Sequence, residues 1–357
     1  GGTIKLDGNY PVGTGNVALG DTALDSGSLS GAANTSIGDK TLSANTSGEH
    51  NTAVGRTGLF VNTTGSSNST LGSAAMESNT TGGSNTAVGR AALYSNTTAS
   101  NNTAVGYQAG YSNTTGAGIT ALGAYAAQDH TTGAEFTAIG YFSGSDNTTG
   151  AQNTTVGAGS LRFNTTGSYN SVLGWQALHN NTTASNNTAV GYRAGYSNTT
   201  GTGLTAVGYQ AAYSNTTGSS YTTAVGWKAL YNNTSGTFNT AVGQSALESN
   251  VTGGSNTSVG LATLALTTGS DNTAIGQGAG YFITSGSKNT IIGRYSGNQG
   301  GLDIRTSSNN IVLSDGDGNP RVVVDSSGAS TFSSSVKAKT YQETYVAKSA
   351  ASTVTCD

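Results

Sequence analysis

The chain has 357 residues, with 17 acidic and 14 basic side chains and a net charge of −3. That balance argues against a nucleic acid or an anionic membrane surface as partner. Only 9% of residues are charged and 34% are apolar while Gly contributes 54, a mixture that would suggest disorder but for two prolines, 17 tyrosines and a strict internal period.

Residues 1–15 read as a lead-in. Beginning at "GGTIKL" without Met or a secretory apolar stretch, the chain reads as a processed product or an excerpt of a longer protein. A single cysteine, Cys356, allows no disulfide within the chain, and no apolar run is long enough to cross a bilayer as a helix.

From residue 16 to 298 one phrase recurs. "NTAVGYQAGYSNTTG" at 102–116 returns almost unchanged as "NTAVGYRAGYSNTTG" at 187–201. The Gly closing each "NTAVG" appears 17 times between Gly20 and Gly293, 17 residues apart with single slips to 16 or 18. Residues 96–123 also match 181–208 at an offset of 85, the length of five repeats, as block duplication would leave. A period of this size means stacked units, each too small to fold alone.

Taking that Gly as position 0, position −1 is always aliphatic, −2 mostly Ala, and −3 Thr or Ser in every repeat but the first. Position −4 is Asn in 13 of 17 repeats, the exceptions being Ile119, Phe136, Leu204 and Thr222. Such alternation reads as a short strand. The pairs Val54/Gly55, Val88/Gly89, Val105/Gly106, Val190/Gly191 and Val207/Gly208 define it, with the aliphatic residue expected inward. A small residue at +3, often Leu at +4, and "NTTG" from +7 complete the coil. Too few residues lie between Gly and Asn for a helix, so two or three short strands with Gly and Asn at the corners are expected.

The fold class is therefore all-β, a parallel β-solenoid or β-roll of 17-residue coils. Stacked at about 4.8 Å, 17 coils give a rod of roughly 80 Å, with like residues in ladders. One or two aliphatics per coil make a thin core. Small Ala at −2 and +3 would let another surface approach, so three chains are expected to pack their Ala faces around a common axis.

Residues 299–357 read as a C-terminal β region that is cut short. Ile311 and Leu313 alternate on one strand, "DGDGNP" turns, and Val322 and Val324 alternate on the next. A further β element is expected around Val336–Val346.

The core "N-[TS]-A-[VI]-G-x-x-A", repeated over roughly 16–293, resembles the head repeats of trimeric autotransporter adhesins, which carry "S-V-A-I-G-x-x-A" and form trimeric left-handed β-rolls. The period here is longer by the "NTT" corner, and, unlike in those adhesins, a C-terminal membrane-anchor segment is not expected. "NNIVLSDGDGNPRVVVDSSGASTFSSSVKAKTYQETYVAKS" (309–349) looks like the junctions in tail-fibre-type proteins of tailed bacteriophages, particularly marine phages. These resemblances imply a homotrimeric virion tail-fibre shaft that holds a receptor-binding or assembly module away from the particle. Its partners would be itself, other virion or appendage proteins and a host-surface glycan, with no membrane insertion. The alternatives are a bacterial surface adhesin at the cell surface and, from another class, an ice binder using Thr ladders.

No enzyme activity and no cofactor are expected. His50, His130 and His179 occupy different coil positions, with no Cys or paired carboxylate at ligand spacing. Asp315, Asp317 and Asn319 are spaced like the opening of a calcium loop, but Pro320 stands where Gly is needed and Ser326 at the twelfth position. A hairpin turn is the simpler reading. Two aromatic stripes remain, at +1 (Tyr107, Trp175, Tyr192, Tyr209, Trp227) and +5 (Tyr94, Tyr111, Tyr196, Tyr213, Tyr231). They are either packing ladders or glycan contacts.

Overall fold

The computed structural model describes residues 14–216 and 220–333. The β element expected around Val336–Val346 lies outside the described residues. Among these there is no helix. Strands β1 (Val17–Leu19) to β17 (Thr290–Ile292), one per repeat, form a single parallel sheet with each strand beside the next in sequence. Register is kept throughout: Thr103 faces Thr120, Ala104 faces Ala121 and Val105 faces Leu122. The parallel β-solenoid read from the period is the architecture of the chain.

Each coil carries one three-residue strand, not two or three. The reason lies in the backbone: positions +2, +4 and −5 take left-handed φ, as at Thr57, Leu59 and Ser67 (56°, 51° and 60°). Left-handed residues interrupt a pleat, and for side chains other than Gly they cost about 1–2 kcal/mol each. The strain is tolerated because these segments still bond from coil to coil. Leu93 N–H donates to Ala109 O at 3.0 Å and Ser95 N–H to Tyr111 O at 2.9 Å.

The two faces of the strand are reversed from the sequence expectation. Position −2 points inward: Ala53, Ala87, Ala104, Ala121 and Ala138 are fully buried. Position −1 points out, so that Leu71, Leu173 and Ile275 are 53%, 51% and 43% exposed. Ala at +3 (Ala75, Ala92, Ala109) and the residue at +4 (Leu59, Met76, Leu93) fill the inside from the opposite wall. The Ala faces therefore meet within one chain, which removes the argument that they seat a neighbouring chain. A coil of 17 residues is too narrow for two facing rows of Val and Leu, and Ala at −2 is what lets it close.

Polar groups complete this interior. Asn at −4 and Asn at +7, expected at corners, are both buried. At −4, Asn68 Oδ1 accepts from Asn85 N (3.0 Å) and Asn85 Nδ2 (3.1 Å), while Asn68 Nδ2 donates across the coil to Gly82 O (2.8 Å). At +7, Asn79 Nδ2 donates to Asn62 Oδ1 (2.8 Å) and to Gly82 O (3.0 Å). A third ladder joins the Thr at +8, where Thr63 Oγ1 donates to Thr80 O at 3.1 Å. The thin core is thus two Asn columns beside an aliphatic one, with rung bonded to rung wherever Asn is kept and gaps where Ile119, Phe136, Leu204, Thr222 or His130 replaces it.

Departures from the repeat compensate one another. Where an apolar residue replaces Asn at −4, the neighbouring +4 positions lose their Leu: Ile119 sits between Gly110 and Ala127, Phe136 between Ala127 and Gly144, Leu204 between Gly195 and Ala212. A Cβ on Gly144 would fall 2.4 Å from Phe136 Cζ. Polarity is matched as well. Hydroxyl residues at −2 face hydroxyl residues at +3, as in Ser36/Thr41, Thr155/Ser160 and Ser258/Thr263, each pair hydrogen-bonded. The group Ser143, Thr155 and Ser160 divides the apolar interior into two clusters. Thr70 breaks the rule: it faces Ala75, and its buried Oγ1 has no partner among the described residues. Thr70→Val is therefore expected to stabilise the chain by about 1 kcal/mol, read as a rise in unfolding midpoint. Val172 already occupies the same position.

At the C-terminal end the stack gains an eighteenth rung. Residues 294–310 include a small ribbon of β18 (Asn298–Gln299) and β19 (Leu302–Asp303), after which β20 (Ile311–Ser314) pairs parallel with β17. Asn310 continues the −4 ladder onto Asn289 Oδ1 (3.0 Å). Buried Tyr295, whose hydroxyl donates to Leu302 O at 2.9 Å, plugs this longer coil. β20 then turns into the expected hairpin with β21 (Pro320–Val324), Ile311 facing Val324 and Leu313 facing Val322, and β22 (Ser330–Phe332) adds an antiparallel third strand.

Candidate functional surfaces

The outward side chains of the strands form a regular surface. Thr or Ser at −3 and an aliphatic at −1 repeat on every rung, separated by two residues along the strand. Val54, Val88, Val190 and Val207 are half-exposed here and Val105 is 37% exposed, so these residues serve the outer face. Their Gly partners (Gly55, Gly89, Gly106, Gly191, Gly208) end each strand with φ between 128° and 141°. A contiguous aliphatic column running along most of a rod exposes on the order of several hundred Å², which on soluble proteins marks an interaction surface.

Both aromatic stripes are stacks. Along +1, Trp175, Tyr192, Tyr209 and Trp227 lie in succession with centroids 4.9, 5.1 and 6.3 Å apart and nearly parallel planes. Along +5, His179, Tyr196, Tyr213 and Tyr231 do the same at 5.2, 5.1 and 5.2 Å. Arg193 joins the two stacks, its guanidinium 4.8–5.4 Å from the centroids of Trp175, Tyr192 and Tyr196, and Lys228 likewise joins Trp227 and Tyr231. Rings inside such a stack have both faces against neighbours. What they offer to solvent is edges, hydroxyls and the interleaved cations. Tyr107 meets Tyr125 edge-on at 5.2 Å and accepts from Arg90 Nη1 at 3.4 Å, and Tyr94 stacks on Tyr111 at 5.0 Å. A third aromatic site at −5, where Tyr221 stacks on Phe238 at 5.7 Å and both are about 60% exposed, escaped the sequence reading. The signal was present as Tyr169, Tyr221 and Phe238 each standing one residue before the −4 position.

The acidic turn is occupied with its own geometry. Asp315 Oδ1 accepts from Asp317 N (3.1 Å) and Asn319 N (2.8 Å), and its Oδ2 from Arg321 Nε (2.9 Å) and Nη2. The Asn319 backbone amide and the Arg321 guanidinium hold the Asp315 carboxyl down to about 2. Asp315, Asp317 and Asn319 thus come together, but as a hairpin turn whose leading carboxylate has both oxygens bonded. Among the described residues no cluster of three His, Cys, Asp or Glu side chains is placed to hold a metal ion.

The three histidines are dispersed, and one is structural. His130 stands at +7 in place of Asn, fully buried and stacked on Phe136 at 5.0 Å. Its Nε2 donates to Gly133 O (2.6 Å), leaving Nδ1 to accept from Asn147 Nδ2 (2.8 Å). With no donor to spare, the ring leaves Asn113 Oδ1 unpaired among the described residues. Burial pushes the His130 pKa down, and burial acts in the same sense on His179. The unfolded chain takes up a proton near pH 6.5, the folded one only at lower pH. Stability is therefore full above about pH 6.5 and falls as pH drops below it, by at most about 1.4 kcal/mol per pH unit for buried His130 and by less for the half-buried, solvent-screened His179. His130→Asn, which restores the ladder, is expected to remove its share of that slope, as measured by thermal unfolding between pH 5 and 8 (about the range in which His titrates).

Among the described residues no helix is long and apolar enough to cross a membrane. Comparison of the chain with protein-family models, curated proteins and solved structures gives no match.

Proposed function

We propose that the chain is the rigid, self-associating shaft of a fibrous appendage: a homotrimeric spacer of a phage tail fibre or similar virion structure that holds an attachment or assembly module away from the particle. The observation that carries this reading is the unbroken register of the stack. Backbone bonds run along the axis from each coil to the next, joined by Asn bonds in most coils, so length grows by whole coils and bending must break ladders. The aliphatic column at −1 supplies the surface through which three chains meet around an axis, in place of the buried Ala rows. A shaft that ends by turning its last rung into an antiparallel hairpin is suited to passing its axis on to a further β module.

Two measurements test it. Leu173→Lys and Val105→Lys place charges on the outer column, where a lone chain would tolerate them to within about 0.5 kcal/mol. Sedimentation is expected to show the native chain as a trimer and the double variant as monomer. A native monomer would overturn self-association. Antibody against the shaft should label purified virions; labelling of bacterial envelopes instead would assign it to a cell-surface adhesin. The Thr at −3 beside the aliphatic column forms a regular array, one residue per rung, which favours ice binding as a second reading. Thermal hysteresis in a monomeric preparation would establish that and displace the fibre.

A further inference from the structure

The line of +2 side chains, lying between the two aromatic stripes, carries Gln108, Tyr125, Phe142, Gln176, Arg193, Gln210 and Lys228 along the middle of the shaft, with a single gap at Gly159. Nearer the N-terminal end three consecutive coils carry only Thr57, Ala74 and Ala91 there, and a groove of about 270 Å³ opens over them. One wall bears Arg56 and Arg90, two coils apart and both exposed. The other bears Glu77, Tyr94 and Tyr111.

These groups are held in place. Arg90 Nη1 donates to the Tyr107 hydroxyl at 3.4 Å, leaving its other N–H groups free for a ligand, and Arg56 lies 3.5 Å from Asp39 at the groove's outer end. Thr57 Oγ1 donates to Glu77 Oε2 at 2.8 Å, which fixes the carboxylate and leaves its second oxygen to accept. Tyr94 stacks on Tyr111, and the neighbouring Glu77 raises the phenol's pKa from its ordinary value.

We propose that this groove is a binding site for an acidic saccharide, a sugar carrying a carboxylate. An apolar floor of Ala methyls with a ring wall suits the C–H face of a pyranose, a fixed carboxylate accepts from its hydroxyls, and two guanidiniums on the facing wall match its carboxylate. The site deepens the attachment reading of the shaft and rests on it: the fibre would touch an anionic glycan along its side as well as through its tip.

Titration of the full chain with a galacturonate trisaccharide and with a neutral galactose trisaccharide tests the proposal. The acidic sugar is expected to bind at least about tenfold more tightly. Arg90→Gln removes that preference with little effect on the neutral sugar. Ala91→Gln installs the residue that the next coil already carries as Gln108 and closes the floor. It is expected to weaken the acidic sugar by about tenfold or more without changing the unfolding midpoint or the sedimentation of the rod. The site is refuted by the absence of saturable binding at about 10 mM, by equal affinity for the two sugars, or by binding that Ala91→Gln leaves intact. Any of these with the rod's length and stoichiometry unchanged refutes the site alone and leaves the shaft standing.

Discussion

Gly191→Ala is expected to destabilise the stack by more than about 4 kcal/mol and to split its unfolding into two transitions. The backbone at Gly191 has φ of +132°, a region that side chains with a Cβ rarely enter, and a Cβ there would stand 2.5 Å from the carbonyl oxygen of Gly208 and 2.8 Å from its carbon. Neither obstacle can rotate away, because the Gly208 carbonyl belongs to the next coil's own corner. In a solenoid each coil is supported only by its neighbours, so a broken interface in mid-shaft separates the coils before it from those after it. Hydrogen exchange should show the coils flanking Gly191 opening first. Gly278→Ala is the control. It sits at φ of +65°, where other coils carry ordinary side chains, with nothing within 4 Å of its Cβ position, so the change should stay within about 1 kcal/mol.

Asn170→Leu is expected to cost about 3–5 kcal/mol, and the loss has two separable parts. Asn170 Oδ1 accepts from Asn187 N (3.0 Å), while its Nδ2 donates to Asn153 Oδ1 (3.0 Å) and Ala184 O (3.0 Å). Leu strips a buried amide of its acceptor and two oxygens of a donor. It also meets Leu161 and Leu178, both fully buried on either side. The chain already contains the repacked solution at Leu204, flanked by Gly195 and Ala212. Adding Leu161→Gly and Leu178→Ala to Asn170→Leu should therefore relieve the crowding but not the lost hydrogen bonds, with chemical denaturation reading both. Full recovery in the triple variant would show that the Asn column contributes volume and nothing more.

These two sites mark where the sequence was legible and where it was not. The Gly at position 0 announces itself by recurrence, and with it the coil length, the parallel register and the Thr ladders. Which face of the strand turns inward is not in the alternation, because Ala53 and Val54 are both apolar. The width of the closed coil decides it, and Ala is the residue that fits. Asn68 and Asn62 read as corner residues because an isolated amide belongs in water. They are buried because the coils above and below supply their partners, a reason that appears only when copies are stacked. The clue was the exceptions: Ile119, Phe136 and Leu204 at the same position are poor corner residues and ordinary interior ones. The hairpin after residue 310 was legible from alternation and turn residues. The longer coil before it, plugged by Tyr295, left no periodic trace. For the surface, spacing gave the aromatic ladders, with stacking as one of two readings, and the groove over Ala74 and Ala91 depends on what is missing from the +2 line.

The central claim, a register-locked shaft whose chains meet through the outer aliphatic column, is tested most directly by a cryo-electron-microscopic reconstruction of the isolated rod. The prediction is a rise of about 4.8 Å per coil over roughly 80 Å, with three chains around the axis and the column of Val105, Leu173 and Ile275 facing inward between them. A single-chain rod, or an assembly in which that column faces solvent and another face is shared, would contradict it.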